Sequence, residues 1–243
     1  MTLTSTGFEF NSYQAAAFYS RLSLSARTIL TDVLRTLGDV LDGDPITLPL
    51  PAEAPAELPR VLLTSKDSSL RFDVALSRAD FRWNRADSAL ALTRFLELAQ
   101  RGFSALHEAA GAMPGRLALV VHRFKPQEDA GKALARHFCL PELLEDGPQR
   151  KGPLNRPEAF ELHAFKKFQL GRYVVNSWFR AKSGLINPTV PEPIVLIEQD
   201  INTLQEQLEE ARLSQEDIRD FHRLSQSELD VIMRSYFPGA DAK

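Results

Sequence analysis

Leu70-Arg71-Phe72-Asp73-Val74-Ala75-Leu76-Ser77 carries a period of two. Leu70, Phe72, Val74 and Leu76 fall on one face of a strand; Arg71, Asp73, Ala75 and Ser77 fall on the other. Val61-Leu62-Leu63 precedes this run across the polar turn Lys66-Asp67-Ser68-Ser69, so residues 60–84 read as a β-hairpin. A strand with one buried and one mostly polar face favours an antiparallel sheet.

A second hairpin is expected over 158–182, turning near Gly171. Phe160 and Leu162 open it, and Tyr173, Val174, Val175, Trp178 and Phe179 fill its return. Leu117 to Phe124 and Ile194-Val195-Leu196-Ile197 add strands. Residues 14–24 fit a strand through Phe18, Ser20, Leu22 and Leu24, or a helix start through Ala15 to Ala17. From Ser25, apolar residues Ile29, Val33, Leu37 and Leu41 recur at helical spacing, and Gly43 and Pro45 stop the run. The longest helix is expected over 88–111, with Ser88 as cap and Gly111 and Pro114 as its end; a short helix follows over 130–138. Thr203 with Glu206, Ser214 with Asp217 and Ser225 with Glu228 fit or approximate capping boxes in a helical C-terminus. Two hairpins rather than alternating strand and crossover helix imply an α+β fold: a largely antiparallel sheet with helices on one side and C-terminal helices. No internal period suggests a repeat array. Pro45, Pro49, Pro51, Pro55 and Pro59 mark the connection 44–59 as the one plausible boundary. The residues before it are too few to stand alone, so a single domain over 1–243 is expected, with a mobile loop over 145–157.

The composition suits a soluble globular chain. Of 243 residues, 44% are hydrophobic and 25% charged, and 12 Gly with 15 Pro are too few for a collagenous or low-complexity chain. The net charge of −3 argues against a general polyanion binder, since that affinity comes from Lys and Arg displacing counterions. The single cysteine, Cys139, forms no intramolecular disulfide and fits a reducing cytoplasm. No signal segment and no apolar run of membrane-spanning length is visible, so a cytoplasmic location without membrane contact is expected.

The search for chemistry yields no site. Both standard phosphate-cradling glycine loops are missing, as are G-x-S-x-G and S-x-x-K. His107, His122, His137, His163 and His222 never fall three or four apart, so no helix presents a two-His zinc face. His137-Phe138-Cys139 reads as a packed thiol near a helix end rather than a nucleophile pair, and Asp42-Gly43-Asp44 as a helix stop. No catalytic residue, metal ligand or cofactor is assigned.

Two basic-aromatic groups are the candidate contacts. The first is Arg78, Arg82, Trp83 and Arg85; the second is Lys166, Lys167, Arg172, Trp178 and Arg180. Should both hairpins share one sheet, a face could interleave cations and aromatics. Such residues are common hot spots of protein interfaces, and they also stack on bases and grip phosphates. The plain alternative is half-buried tryptophans under arginine stems. The C-terminal segment Gln205 to Phe237 either covers the sheet or docks on a second copy or another protein.

One resemblance adds to this. An early hairpin ends in a basic-aromatic stretch, a long helix follows, and then comes Arg116-Leu117-Ala118-Leu119-Val120-Val121. A late strand runs into Asp200-Ile201-Asn202-Thr203, and the last helix holds Phe221-His222 and finishes at Tyr236-Phe237. Over residues 60–237 this layout resembles a sporadically distributed bacterial family. Its members, of about 250 residues, have no established function, so no catalytic residue carries over. The scattered occurrence of that family resembles genes that travel in mobile or defence clusters, which implies work beside a partner protein. The expectation is a non-enzymatic protein-binding subunit or adaptor, possible in a phage-defence-type assembly and as a homo-oligomer. Its alternatives are a nucleic-acid-binding accessory module and an enzyme with an unrecognised site.

Overall fold

Alternation sets the strands, and the computed structural model pairs nine of them into one sheet. It describes residues 3–23, 25–51, 53–85, 90–146, 152–186 and 191–239. In chain order the elements are β1 (Glu9–Phe18), α1 (Ala26–Leu37), β2 (Ile46–Thr47), β3 (Val61–Thr64), β4 (Leu70–Val74), β5 (Arg78–Asn84), α2 (Leu92–Ala110), β6 (Arg116–Pro126), α3 (Ala130–Phe138), α4 (Pro141–Leu144), β7 (Glu161–Leu170), β8 (Tyr173–Ile186), β9 (Glu192–Thr203) and α5 (Gln215–Tyr236). The sheet order is β2-β3-β4-β5-β1-β6-β9-β8-β7, and every neighbouring pair is antiparallel. The α+β class, the two hairpins and the one-sided helices thus stand as expected.

Each hairpin is extended by a third strand into a meander. The basic stretch Arg78–Asn84 is itself a strand, β5, joined to β4 by a turn in which the Ala75 amide donates to the Arg78 carbonyl at 2.8 Å. The chain then shows a duplication of topology. Strand, helix, three-stranded meander and long helix occur first as β1, α1, β3–β4–β5, α2, and again as β6, α3, β7–β8–β9, α5. β1 and β6 pair at the centre of the sheet, and each pairs on its other side with the last strand of its own meander.

The alanine-rich stretch at 15–17 is strand, not helix. Tyr13, Ala15 and Ala17 point into the core while Ser12, Gln14 and Ala16 point away. Tyr13 stacks on Trp83 with ring centroids 4.8 Å apart and meets Phe95 at 5.1 Å. Helix α1 starts at the Ser25 cap and ends at Gly38, earlier than Gly43, and buries Ile29, Val33 and Leu37. Helix α2 buries Phe95, Leu98, Phe103 and Leu106, the expected stripe. Gly102 lets it approach: a Cβ there would lie 3.3 Å from Leu37 Cδ1 and 3.6 Å from Phe72. Ser88, the expected cap of this helix, lies outside the described residues, as do 147–151 of the expected loop.

Only one of the three proposed capping boxes is a helix start. Ser214 and Asp217 cap α5 reciprocally. Ser225 sits inside α5, fully buried, and Thr203 ends β9, where its hydroxyl accepts from the Leu117 amide at 3.0 Å. Helix α5 is therefore continuous across the sheet, with Ile218, Phe221, His222, Leu229 and Met233 buried beneath it.

Candidate binding face

The side of the sheet away from the helices follows from strand parity. Where Phe72, Phe81, Ala15, Leu119, Ile201 and Val175 point toward α1, α2 and α5, their neighbours point the other way. Register then aligns those neighbours in rows across the strands. One row reads Arg71, Arg82, Gln14, Val120, Asp200, Trp178, Phe165. The next reads Asn84, Ser12, His122, Glu198, Arg180, His163.

The wing formed by β4 and β5 is an ion-pair ladder. Arg71 Nε meets Asp73 Oδ1 at 2.6 Å, Arg78 Nη2 meets Asp80 Oδ1 at 2.5 Å, and Arg82 reaches Asp73 at 3.1 Å and Asp80 at 3.7 Å. Gln14 Nε2 donates to Asp80 Oδ1 at 2.6 Å. The two carboxylates are only 3% and 4% exposed although no helix lies over them; the arginines cover them. A buried carboxylate is tolerable only with such pairing.

Towards the middle, Arg78 and Arg116 lie 4.8 and 4.5 Å from the Phe18 ring centroid. Arg116 also donates to Thr203 O at 3.1 Å, Asn202 Oδ1 at 3.0 Å and Gln205 Oε1 at 2.8 Å. At the centre, Ser12 Oγ lies 3.0 Å from His122 Nδ1, and His122 Nε2 lies 3.4 Å from Glu198 Oε2. The two ring nitrogens thus face the serine hydroxyl on one side and the carboxylate on the other. Glu198 also pairs with Arg180. The hydrogen bond from His122, then the charge of Arg180, hold its carboxyl below the ordinary range. Next in line, burial raises Asp200, with an opposing hydrogen bond from Asn202.

The far wing is aromatic. Trp178 and Phe165 meet with ring centroids 4.6 Å apart, and the Arg180 guanidinium lies 4.9 Å from the indole. Phe165 is 52% exposed.

The structure brings five of the nine candidate residues onto this face: Arg78, Arg82, Lys167, Trp178 and Arg180. Arg85 borders it, 5.2 Å from the Phe124 ring and paired with Glu9 at 2.5 Å. Trp83 points inward and is 2% exposed, so it offers no surface to a partner. Lys166 points to the helix side, 4.8 Å from the Phe168 ring and in the groove that contains Glu228. Arg172 sits in the β7–β8 turn, where Asp217 at 2.5 Å and Asp220 at 3.9 Å tie it to α5. The sequence reading offered none of Ser12, Phe18, Arg116, Glu198 and Asp200 as a contact, because they share this face only through pairing of distant strands. The alternation of residues 12–17 and 116–122 was the available signal.

Ser12, His122 and Glu198 have the connectivity of a nucleophile, base and acid. However, β1, β6 and β9 are interior strands whose ladder takes the amides that acyl transfer would need for an oxyanion hole, except at the bulge between Phe10 and Ser12. Among the described residues, no group of three or more His, Cys, Asp or Glu is placed to hold a metal ion, and no helix is long and apolar enough to cross a membrane. No protein-family model and no curated protein matches this chain.

Proposed function

We propose that the sheet face opposite the helices binds another protein and that the chain is a non-catalytic subunit or adaptor. The observation that carries this reading is the face itself: half-buried Trp178 and Arg180 beside exposed Phe165, and half-buried Phe18 further across the sheet, with no helix over them among the described residues. Aromatic and arginine side chains held in place by ion pairs lose little freedom on association, which suits interface hot spots. The same pairing disfavours a phosphate backbone as ligand. Arg71, Arg78, Arg82 and Arg180 already have carboxylate partners, which phosphates would have to displace. The resemblance to a family of scattered occurrence supports a partner encoded nearby, as in a bacterial defence assembly.

The test is site-specific photocrosslinking in the native host. A benzophenone amino acid at Phe18 or Trp178 is expected to crosslink one protein, and the same probe at exposed Arg219 of α5 is not. Crosslinks from Arg219 alone, or tight and steeply salt-dependent binding of single-stranded DNA abolished by Arg180→Glu, would overturn the reading.

A further inference from the structure

The two halves of the sheet end differently. In the first half, the outer edge of β3 is capped: β2 pairs with it, and the Leu48 amide donates to Arg60 O at 2.8 Å. The equivalent strand of the second half, β7, has β8 on one side and no strand on the other among the described residues. The described residues leading into β7 do not fold back over it. Leu154 N instead donates to Leu143 O at 2.8 Å, and the Pro157 and Glu158 carbonyls lie against Gly131 of α3. Among the described residues, a ten-residue edge is therefore left with unpaired amides and carbonyls.

Parity decides which groups face outward. Ser183 N donates to Phe160 O at 3.0 Å, so the even-numbered residues of β7 bond to β8. Glu161, His163, Phe165 and Lys167 direct their amides and carbonyls to the open side. An antiparallel strand added there must pair these odd residues with one another when the strand is a second β7.

We infer that a second copy of this chain pairs along β7, antiparallel, about a two-fold axis at Ala164. Charge selects this register. It sets Lys167 opposite the second copy's Glu161 and Phe165 opposite the second copy's His163, each twice by symmetry. Centring one residue later, on Phe165, instead faces Lys167 with His163 and leaves Glu161 opposite Gln169. The chosen register makes about eight backbone hydrogen bonds, covers exposed Phe165 and matches opposite charges across the strands. The two uncovered sheet faces then run on as one surface. The inference does not depend on what that surface binds.

Sedimentation velocity over a wide concentration range tests it. Dimer is expected for the unaltered chain. Lys167→Glu or Glu161→Lys alone should weaken it by about tenfold, since each change acts at both symmetric pairs, and the double swap should restore it. Both positions are at the exposed edge, and far-UV circular dichroism verifies folding. As an independent readout, Ala164→Cys in a Cys139→Ser background should crosslink to itself on mild oxidation, because two-fold related, non-hydrogen-bonded residues sit at disulfide distance. A monomer at every concentration overturns the inference. So does a dimer indifferent to both charge reversals, or one in which Phe165→Cys crosslinks and Ala164→Cys does not.

Discussion

His222 provides a quantitative test of how α5 packs. Its ring is fully buried on the sheet-facing side of that helix, with ring centroids 6.4 Å from Phe103 and 5.9 Å from Phe221. Neither ring nitrogen has a protein hydrogen-bond partner among the described residues. Burial lowers its pKa from 6.5 to about 4, because an imidazolium there would lose its hydration without gaining a counter-charge. The unfolded chain therefore binds a proton at 6.5 that the folded chain refuses until about 4. The folded state keeps its full stability above 6.5 and loses it progressively as pH falls through that window. At pH 5 the loss is about 2 kcal/mol, one and a half pKa units at about 1.4 kcal/mol each. Urea unfolding at pH 7.5 and pH 5.0, for the natural chain and for His222→Leu, isolates this contribution from other titrating groups. The difference in unfolding free energy between the two proteins should change by about 2 kcal/mol in favour of the variant on acidification, or roughly 4–8 °C in Tm. Parallel pH dependences would show that the ring is hydrated or charged in the fold, and the packing of α5 described above would be wrong.

Other consequences follow from the same geometry. Asp80→Ala removes the carboxylate shared by Arg78, Arg82 and Gln14 and should cost about 1–3 kcal/mol in urea unfolding, since it leaves three half-buried donors without this partner. Ser214→Ala should cost about 1 kcal/mol by the same measurement, through loss of the α5 capping box. Gly171 turns β7 into β8 with φ +58, and a Cβ there would lie 2.7 Å from Leu224 Cδ1. Gly171→Val should cost about 2 kcal/mol, seen as a lowered thermal midpoint.

Much of this architecture was legible wherever one face of an element is buried. Leu70–Val74 and the α2 stripe carry a period that burial enforces, 117–124 stands out as a short apolar run and 158–182 as a hairpin about Gly171, and the structure keeps them. Ala15–Ala17 was ambiguous because alanine suits a helix locally. In the sheet its small side chain leaves room for Tyr13, Phe95 and Trp83 to meet, a tertiary reason absent from any local window. The duplication was invisible because topology is repeated without the residues: β1 reads EFNSYQAAAF and β6 reads RLALVVHRFKP. The candidate face was half legible. Arg78, Arg82 and Trp178 announced themselves by type, but Trp83 shows that one step along a strand moves an aromatic ring from the surface to the core. Ser12, His122 and Glu198 are brought together by register across residues 110 and 76 apart in the chain.

Hydroxyl-radical footprinting of the chain, alone and in complex with its crosslinked partner, addresses the central claim most directly. Phe18 and Trp178 should be oxidised in the isolated protein and protected in the complex, while Trp83 stays unmodified in both. Protection confined to the outer faces of α1, α2 and α5, with Trp178 equally oxidised in both states, would place the interface on the helices and contradict the account.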